Sequence, residues 1–220
     1  MIEKEVHEKI FSAMKSHLGE NFVLNRSSDI LPSVEIHPEK IRAGVEYLKN
    51  SFHADFLESM DAADLYNYKG DLYDPSRAPW HSLYTEDFNQ FSESESPRLF
   101  LLQYQLFSFN SGSHYILKTV LPFKNLSVES IDDLYGNANW HEREIWDLLG
   151  IDFIHSKDLS RLLLPENWEG HPLRRDYEQK DNYNGMSTQR VSELQNYTNR
   201  AVKNIETWRA VIESRNQTNS

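Results

Sequence analysis

The apolar positions of this chain recur in rhythms that change along its length. Ile2, Val6, Ile10 and Met14 fall four apart ahead of Gly19, which predicts an amphipathic helix over residues 2–18 with a glycine stop. Val34 and Ile36 alternate within Ser33–His37 as in a short strand, and Pro38 then opens a helix with Ile41, Val45 and Leu48 on one face. Phe52 to Tyr68 suits a strand or a helix. Leu99 to Phe109 begins apolar on both alternating faces, as a central strand does, and Asn110-Ser111-Gly112-Ser113 is a hairpin turn into Tyr115 to Leu121. Ser127 is expected to cap a brief helix through Ile131 and Leu134 that Gly136 closes. A further short helix starts at Asn137 or Asn139, carries Glu142 and Glu144 in its early turns, and ends at Gly150. Its expected inner face is His141, Ile145, Leu148 and Leu149, with Trp146 to the side. Ile151 and Phe153 then read as an extended segment.

The remaining stretches lack such rhythm. Residues 70–98, with Gly70, Pro75, Pro79, Pro97 and a Ser/Glu run, read as an inserted, mobile surface loop. Leu162 to Tyr177 holds two prolines, a glycine and two arginines, and reads as an ordered but irregular strap. After Ser187, the residues Val191, Leu194, Thr198, Ala201, Ile205, Trp208 and Ile212 recur at alternating steps of three and four, one seam of a long helix. That helix folds back on its own domain or docks on a partner. The expected fold is α+β: a small mixed, largely antiparallel sheet with packed helices over 1–150, an extended interface strap over 151–186, and a C-terminal amphipathic helix over 187–220.

Composition narrows the function. At 220 residues the chain can bury a sizeable core, and a net charge of -11 argues against a nucleic-acid surface, which needs a basic stripe to displace counterions. There is no cysteine, so disulfides, thiolate zinc sites and cysteine-ligated iron–sulfur clusters are excluded. Met1-Ile2-Glu3-Lys4-Glu5 does not look like a signal or transit peptide, and no run approaches the roughly 20 apolar residues of a membrane span.

Candidate chemistry is sparse. His141-Glu142-Arg143-Glu144-Ile145 starts like a zinc-protease helix, but the fifth residue is Ile where a second His ligand is needed. Glu142 and Glu144 point in different directions on a helix and cannot form a close carboxylate pair; salt bridges to arginines such as Arg143, or to a partner's basic groups, are their expected use. The eight glycines are dispersed singly, so nucleotide-cradling loops are not expected, and no nucleophile elbow occurs. His155 and His171 are read as hydrogen-bonded structural residues. No catalytic, cofactor-binding or metal residue is therefore expected. Trp and Arg dominate interface energetics, and Trp146, Arg161, Trp168, Arg174, Arg175, Asp176, Tyr177 and Trp208 are the expected partner-interface residues.

One stretch carries a family signature. The run Glu142-Arg143-Glu144-Ile145-Trp146-Asp147-Leu148-Leu149-Gly150-Ile151-Asp152-Phe153 is followed by Asp158-Leu159 and Arg161-Leu162-Leu163-Leu164-Pro165. Trp168-Glu169-Gly170-His171-Pro172-Leu173-Arg174-Arg175-Asp176-Tyr177 completes it. Together they closely resemble the C-type subunit of respiratory complex I, the proton-pumping NADH:quinone oxidoreductase. The chain has His155-Ser156-Lys157 where that family usually has Gly-His-Pro, and Ser160 in place of an Arg. The resemblance favours at least one strand in Phe52–Tyr68. It implies a peripheral-arm protein without a redox centre, packed against the large D-type quinone-site subunit and near iron–sulfur subunits, on the cytoplasmic side of a bacterial inner membrane. FMN and iron–sulfur clusters would sit on those partners. Related subunits serve membrane-bound hydrogenases and other complex-I-like dehydrogenases; a stand-alone hydrolase using His141, Glu142 and Glu144 is a distant alternative.

Overall fold

The computed structural model describes residues 2–26, 33–65 and 98–188, together with Lys203. Helix α1 (Ile2–Leu18) leads into strands β1 (Val23–Arg26) and β2 (Ser33–Ile36), and a short 3-10 turn at Pro38–Lys40 opens helix α2 (Ile41–Phe52). Strand β3 (Phe56–Asp64) follows, so the ambiguous stretch is a strand, and β4 (Leu99–Ser108) and β5 (Ser113–Pro122) form the expected hairpin. The five strands make one sheet in the order β1-β2-β5-β4-β3. Only β2 with β5 is parallel; the other neighbours run antiparallel, which bears out the mixed, largely antiparallel reading.

Alternation along β4 decides which face is core. Phe100, Leu102, Tyr104 and Leu106 are buried, and across the ladder they meet Leu121, Thr119, Leu117 and Tyr115. Helix residues Met14, Val45 and Leu48 complete the same core. Gly44 allows α2 to lie close, since a Cβ there would come within 2.5 Å of Ile36.

Two expectations after the hairpin are corrected. Ser127 caps no helix: Ser127–Glu129 is strand β6, parallel to β7 (Asp152–Ile154) in a separate two-stranded sheet. A single turn at Ile131–Tyr135 remains of the expected helix, closed by bonds from the Leu134 and Tyr135 N–H groups to the Ile131 carbonyl. Helix α3 (Ala138–Leu149) then packs beside β3 and stops at Gly150, as expected, with φ +72. Asn137 holds the cap position, but its side chain donates to the Leu57 carbonyl at 2.9 Å instead of capping.

The compact unit continues to Tyr177, past the expected boundary at residue 150, because 158–177 is tied along α3 by the bonds described below. Glu178–Ser220 is a second unit, in which β8 (Asn182–Tyr183) and β9 (Met186–Ser187) form a small antiparallel hairpin through Asn184-Gly185. The expected loop over 70–98 lies outside the described residues except Arg98, and the expected terminal helix lies outside them except for Ser187, Thr188 and Lys203. No helix among the described residues is long and apolar enough to cross a membrane.

Candidate functional site

The signature stretch folds as a clasp. After β7 the chain returns to the start of α3, where Asn139 donates to the Asp158 carbonyl, and then runs beside the helix towards its end. Arg143 donates to the carbonyls of Ser160 and Arg161, both at 3.1 Å. One helical turn on, Asp147 is the hub. Its side chain is 0% exposed, with Oδ1 accepting from Arg161 at 2.6 Å. Oδ2 accepts three consecutive backbone N–H groups, those of Leu162, Leu163 and Leu164, at 3.1, 2.8 and 2.9 Å. Successive N–H groups bent around one oxygen make a nest, a natural anion seat. Burial by itself raises a carboxyl's pKa, but these donors and Arg161 outweigh it and hold Asp147 below its ordinary value.

Arg161 continues across the strap, donating to the carbonyls of Trp168 at 2.8 Å and Gly170 at 3.3 Å. Its guanidinium lies 5.6 Å from the Trp146 ring, and His171 meets that ring edge-on. His171 Nδ1 sits 3.0 Å from the Asp147 carbonyl oxygen; burial lowers its pKa, so its structural reading holds. Arg174 caps the helix, donating from Nε to the Leu149 carbonyl at 2.6 Å and from its terminal nitrogen to that of Gly150. A Cβ on Gly150 would lie 2.3 Å from Arg174 and 2.6 Å from His171, so glycine is required there twice over.

The strap's end is bolted to the sheet. Arg98 donates to Asp64 and, through two nitrogens, to Asp176, at 2.5 to 2.6 Å, while its guanidinium lies 4.4 Å from the Phe123 ring. Arg175 adds bonds from its N–H to the Asp64 carboxylate and from its side chain to the Asp64 carbonyl. Tyr177 packs its ring against Gly170.

The structure thus gathers Trp146, Arg161, Trp168, Arg174, Arg175, Asp176 and Tyr177 in one place, and the contacts just named join the strap to its own domain. Trp208 lies outside the described residues. Sequence reasoning missed Asp147, Arg98 and Asp64. The only sequence hint at Asp147 was an acid set among Ile145, Trp146, Leu148 and Leu149.

The expected surface role of Glu142 is corrected. It is the fifth residue of α3, beyond the first turn, and its side chain is 0% exposed. Oε1 accepts the Ile131 N–H and Oε2 the Ser130 hydroxyl, both at 2.8 Å. Burial raises its pKa, and the two donors only partly offset that. The expected inner face of α3 is corrected with it: Ala138, Glu142, Ile145 and Leu149 are buried, whereas His141 and Leu148 are half-buried. A carboxylate sealed this way cannot reach a substrate, and no group of three His, Cys, Asp or Glu among the described residues could hold a metal ion.

The model of the family "Respiratory-chain NADH dehydrogenase, 30 Kd subunit" matches residues 34–183. The C/D fusion protein of the NADH-quinone oxidoreductase of Chromohalobacter salexigens is 45% identical over 92 residues, 42% of this chain and 16% of that protein. Its counterpart in Buchnera aphidicola subsp. Cinara cedri is 47% identical over 78 residues, 36% of this chain and 14% of that protein. The chain thus spans about one-sixth or less of these curated relatives. A chain in the structure of the membrane-bound sulfane sulfur reductase, an archaeal respiratory membrane complex, shares the fold with TM-score 0.52 at 17% identity, over 81% of this chain and 86% of that one.

Proposed function

Because the chain belongs to the family of the respiratory-chain NADH dehydrogenase 30 Kd subunit, we propose that it serves as a peripheral-arm component of a proton-translocating NADH:quinone oxidoreductase. In this reading it carries no redox group. It holds a large D-type quinone-site subunit and neighbouring iron–sulfur subunits in register, on the cytoplasmic side of a bacterial inner membrane. FMN and the clusters reside on those partners. Its contribution to turnover is positional, because a rigid neighbour keeps the quinone site and the cofactor spacing intact.

The observation that carries the proposal is the family match over residues 34–183, which takes in the sheet and the whole clasp. Relatives whose names join C and D support a D-type neighbour. The clasp fits the role, since Asp147 and Arg161 fix an irregular strap that would otherwise be too mobile to present a defined surface.

The test is purification of the assembly through a tag on this chain. A D-type subunit and iron–sulfur subunits should accompany it, and membranes lacking the chain should lose NADH:quinone activity until it is restored. A chain that purifies without them, or oxidises NADH unaided, overturns the proposal. An equivalent subunit of a membrane-bound hydrogenase or other dehydrogenase is the alternative, distinguished by which electron-donor module comes with it.

A further inference from the structure

The clasp turns its cations inward and leaves a different chemistry outside. Arg143 and Arg161 are only 16% and 13% exposed, spent on the strap's carbonyls and on Asp147. Three large apolar side chains remain outside: Trp140 at 60%, Leu163 at 60% and Leu173 at 58%. They belong to one side of the molecule. Trp140 lies on the outward stripe of α3 with Glu144 and Leu148, each four residues on. Leu163 is held at Asp147 through its N–H, and the Leu173 N–H donates to the Leu148 carbonyl at 3.0 Å.

The exposed charges around them are mostly acidic. Glu144, Asp158, Glu166 and Glu169 are all exposed on α3 or the strap. Of the exposed cations nearby, Lys157 is drawn to Asp132 at 3.6 Å, and Arg175 bonds the Asp64 carbonyl. The result is an apolar strip with an acidic rim on a backbone that the clasp has already ordered, so binding here costs little ordering entropy.

We infer that this strap-side face of α3 is the docking surface for one neighbouring subunit, and that the neighbour presents an apolar groove rimmed by lysine and arginine. The inference rests on the assembly reading above and adds the face and the partner's charge. It also moves the anchoring role from Arg161 and Arg174, which hold the strap, to Trp140, Leu163 and Leu173, which the strap presents.

The test uses the assembly purified through a tag on this chain. A photo-reactive side chain at position 163 or 173 should cross-link to apolar positions of a single subunit whose near neighbours include Lys or Arg. Leu163→Ser with Leu173→Ser should weaken retention about tenfold, and Glu166→Lys with Glu169→Lys should let lower salt release the chain. Both variants should melt at the wild-type temperature when isolated, since the altered side chains are exposed. Cross-links to a second copy of this chain, to lipid or to an acidic surface overturn the inference, as does wild-type retention of both variants. If no other subunit accompanies the wild-type chain, the assembly reading fails first, and the inference falls with it.

Discussion

The sheet and the clasp are held by opposite means. The sheet's core is a set of apolar side chains placed by alternation along β4 and β5, non-directional and tolerant of similar shapes. The clasp has almost no regular secondary structure, and charged groups set its order: one sealed carboxylate, three arginines bonded to carbonyls, and a bidentate pair to Asp176. Helix α3 joins the two, with Ala138, Ile145 and Leu149 buried in the core and Arg143 and Asp147 engaged with the strap. The core should therefore lose stability in proportion to volume removed, whereas the clasp should fail when a single charge is deleted.

Asp147→Ala gives the largest expected effect. It leaves the Arg161 guanidinium and three backbone N–H groups without their acceptor in a site closed to water, a loss of about 3–5 kcal/mol. Limited proteolysis should cut first between residues 158 and 170, while the far-ultraviolet circular dichroism of the sheet persists. Leu102→Ala is the matching change in the core, at about 2–5 kcal/mol, and should melt sheet and strap together with no early strap cleavage. If both variants unfold in a single concerted step by denaturant and protease alike, the two regions are one cooperative unit and the contrast is lost.

Gly150→Ala probes the joint itself. The left-handed backbone alone costs an L-residue about 1–2 kcal/mol, and the new methyl also displaces Arg174 and His171 from the helix end. Protection of the Leu173 amide, bonded to the Leu148 carbonyl, should fall in hydrogen exchange before that of the β4 amides.

The same contrast explains what could be read from the residues beforehand. Helices α1 and α2 and the β4–β5 hairpin were legible because each is specified by its own neighbours: spacing of four, alternation of two, and Asn-Ser-Gly-Ser in the turn. Ser127–Glu129 was misread because a three-residue strand has no usable period, and its partner Asp152–Ile154 lies a helix away. The site residues were found by type, as tryptophans and arginines in an irregular stretch, but not by role. Nothing local shows that Arg161 faces an acid fourteen positions earlier, or that Arg98 joins Asp64 to Asp176. Glu142 was taken for a surface acid because a charged residue early in a helix is usually solvated, and here tertiary structure overrides that preference.

The smallest expected effect separates the two sealed carboxylates of α3. Burial raises the folded pKa of Glu142 above its unfolded value of about 4.3, so its stabilising contribution is fully present below that value and is lost as pH rises through the folded pKa. Asp147 runs the other way. Its folded pKa is depressed, so its contribution is present above the unfolded value of about 3.9 and is lost as pH falls through the folded pKa. Acidification from neutrality should therefore first firm the seat of α3 on the Ser130–Ile131 turn, and only below about pH 4 release the strap. Glu142→Gln keeps an oxygen for the Ile131 N–H and an amide that the Ser130 hydroxyl can accept from, and should change stability at pH 5 by less than about 1 kcal/mol. It should remove the first limb of the melting-temperature profile and leave the second untouched. A variant that keeps the gain on mild acidification would show that another group on the α3 side of the core takes up that proton.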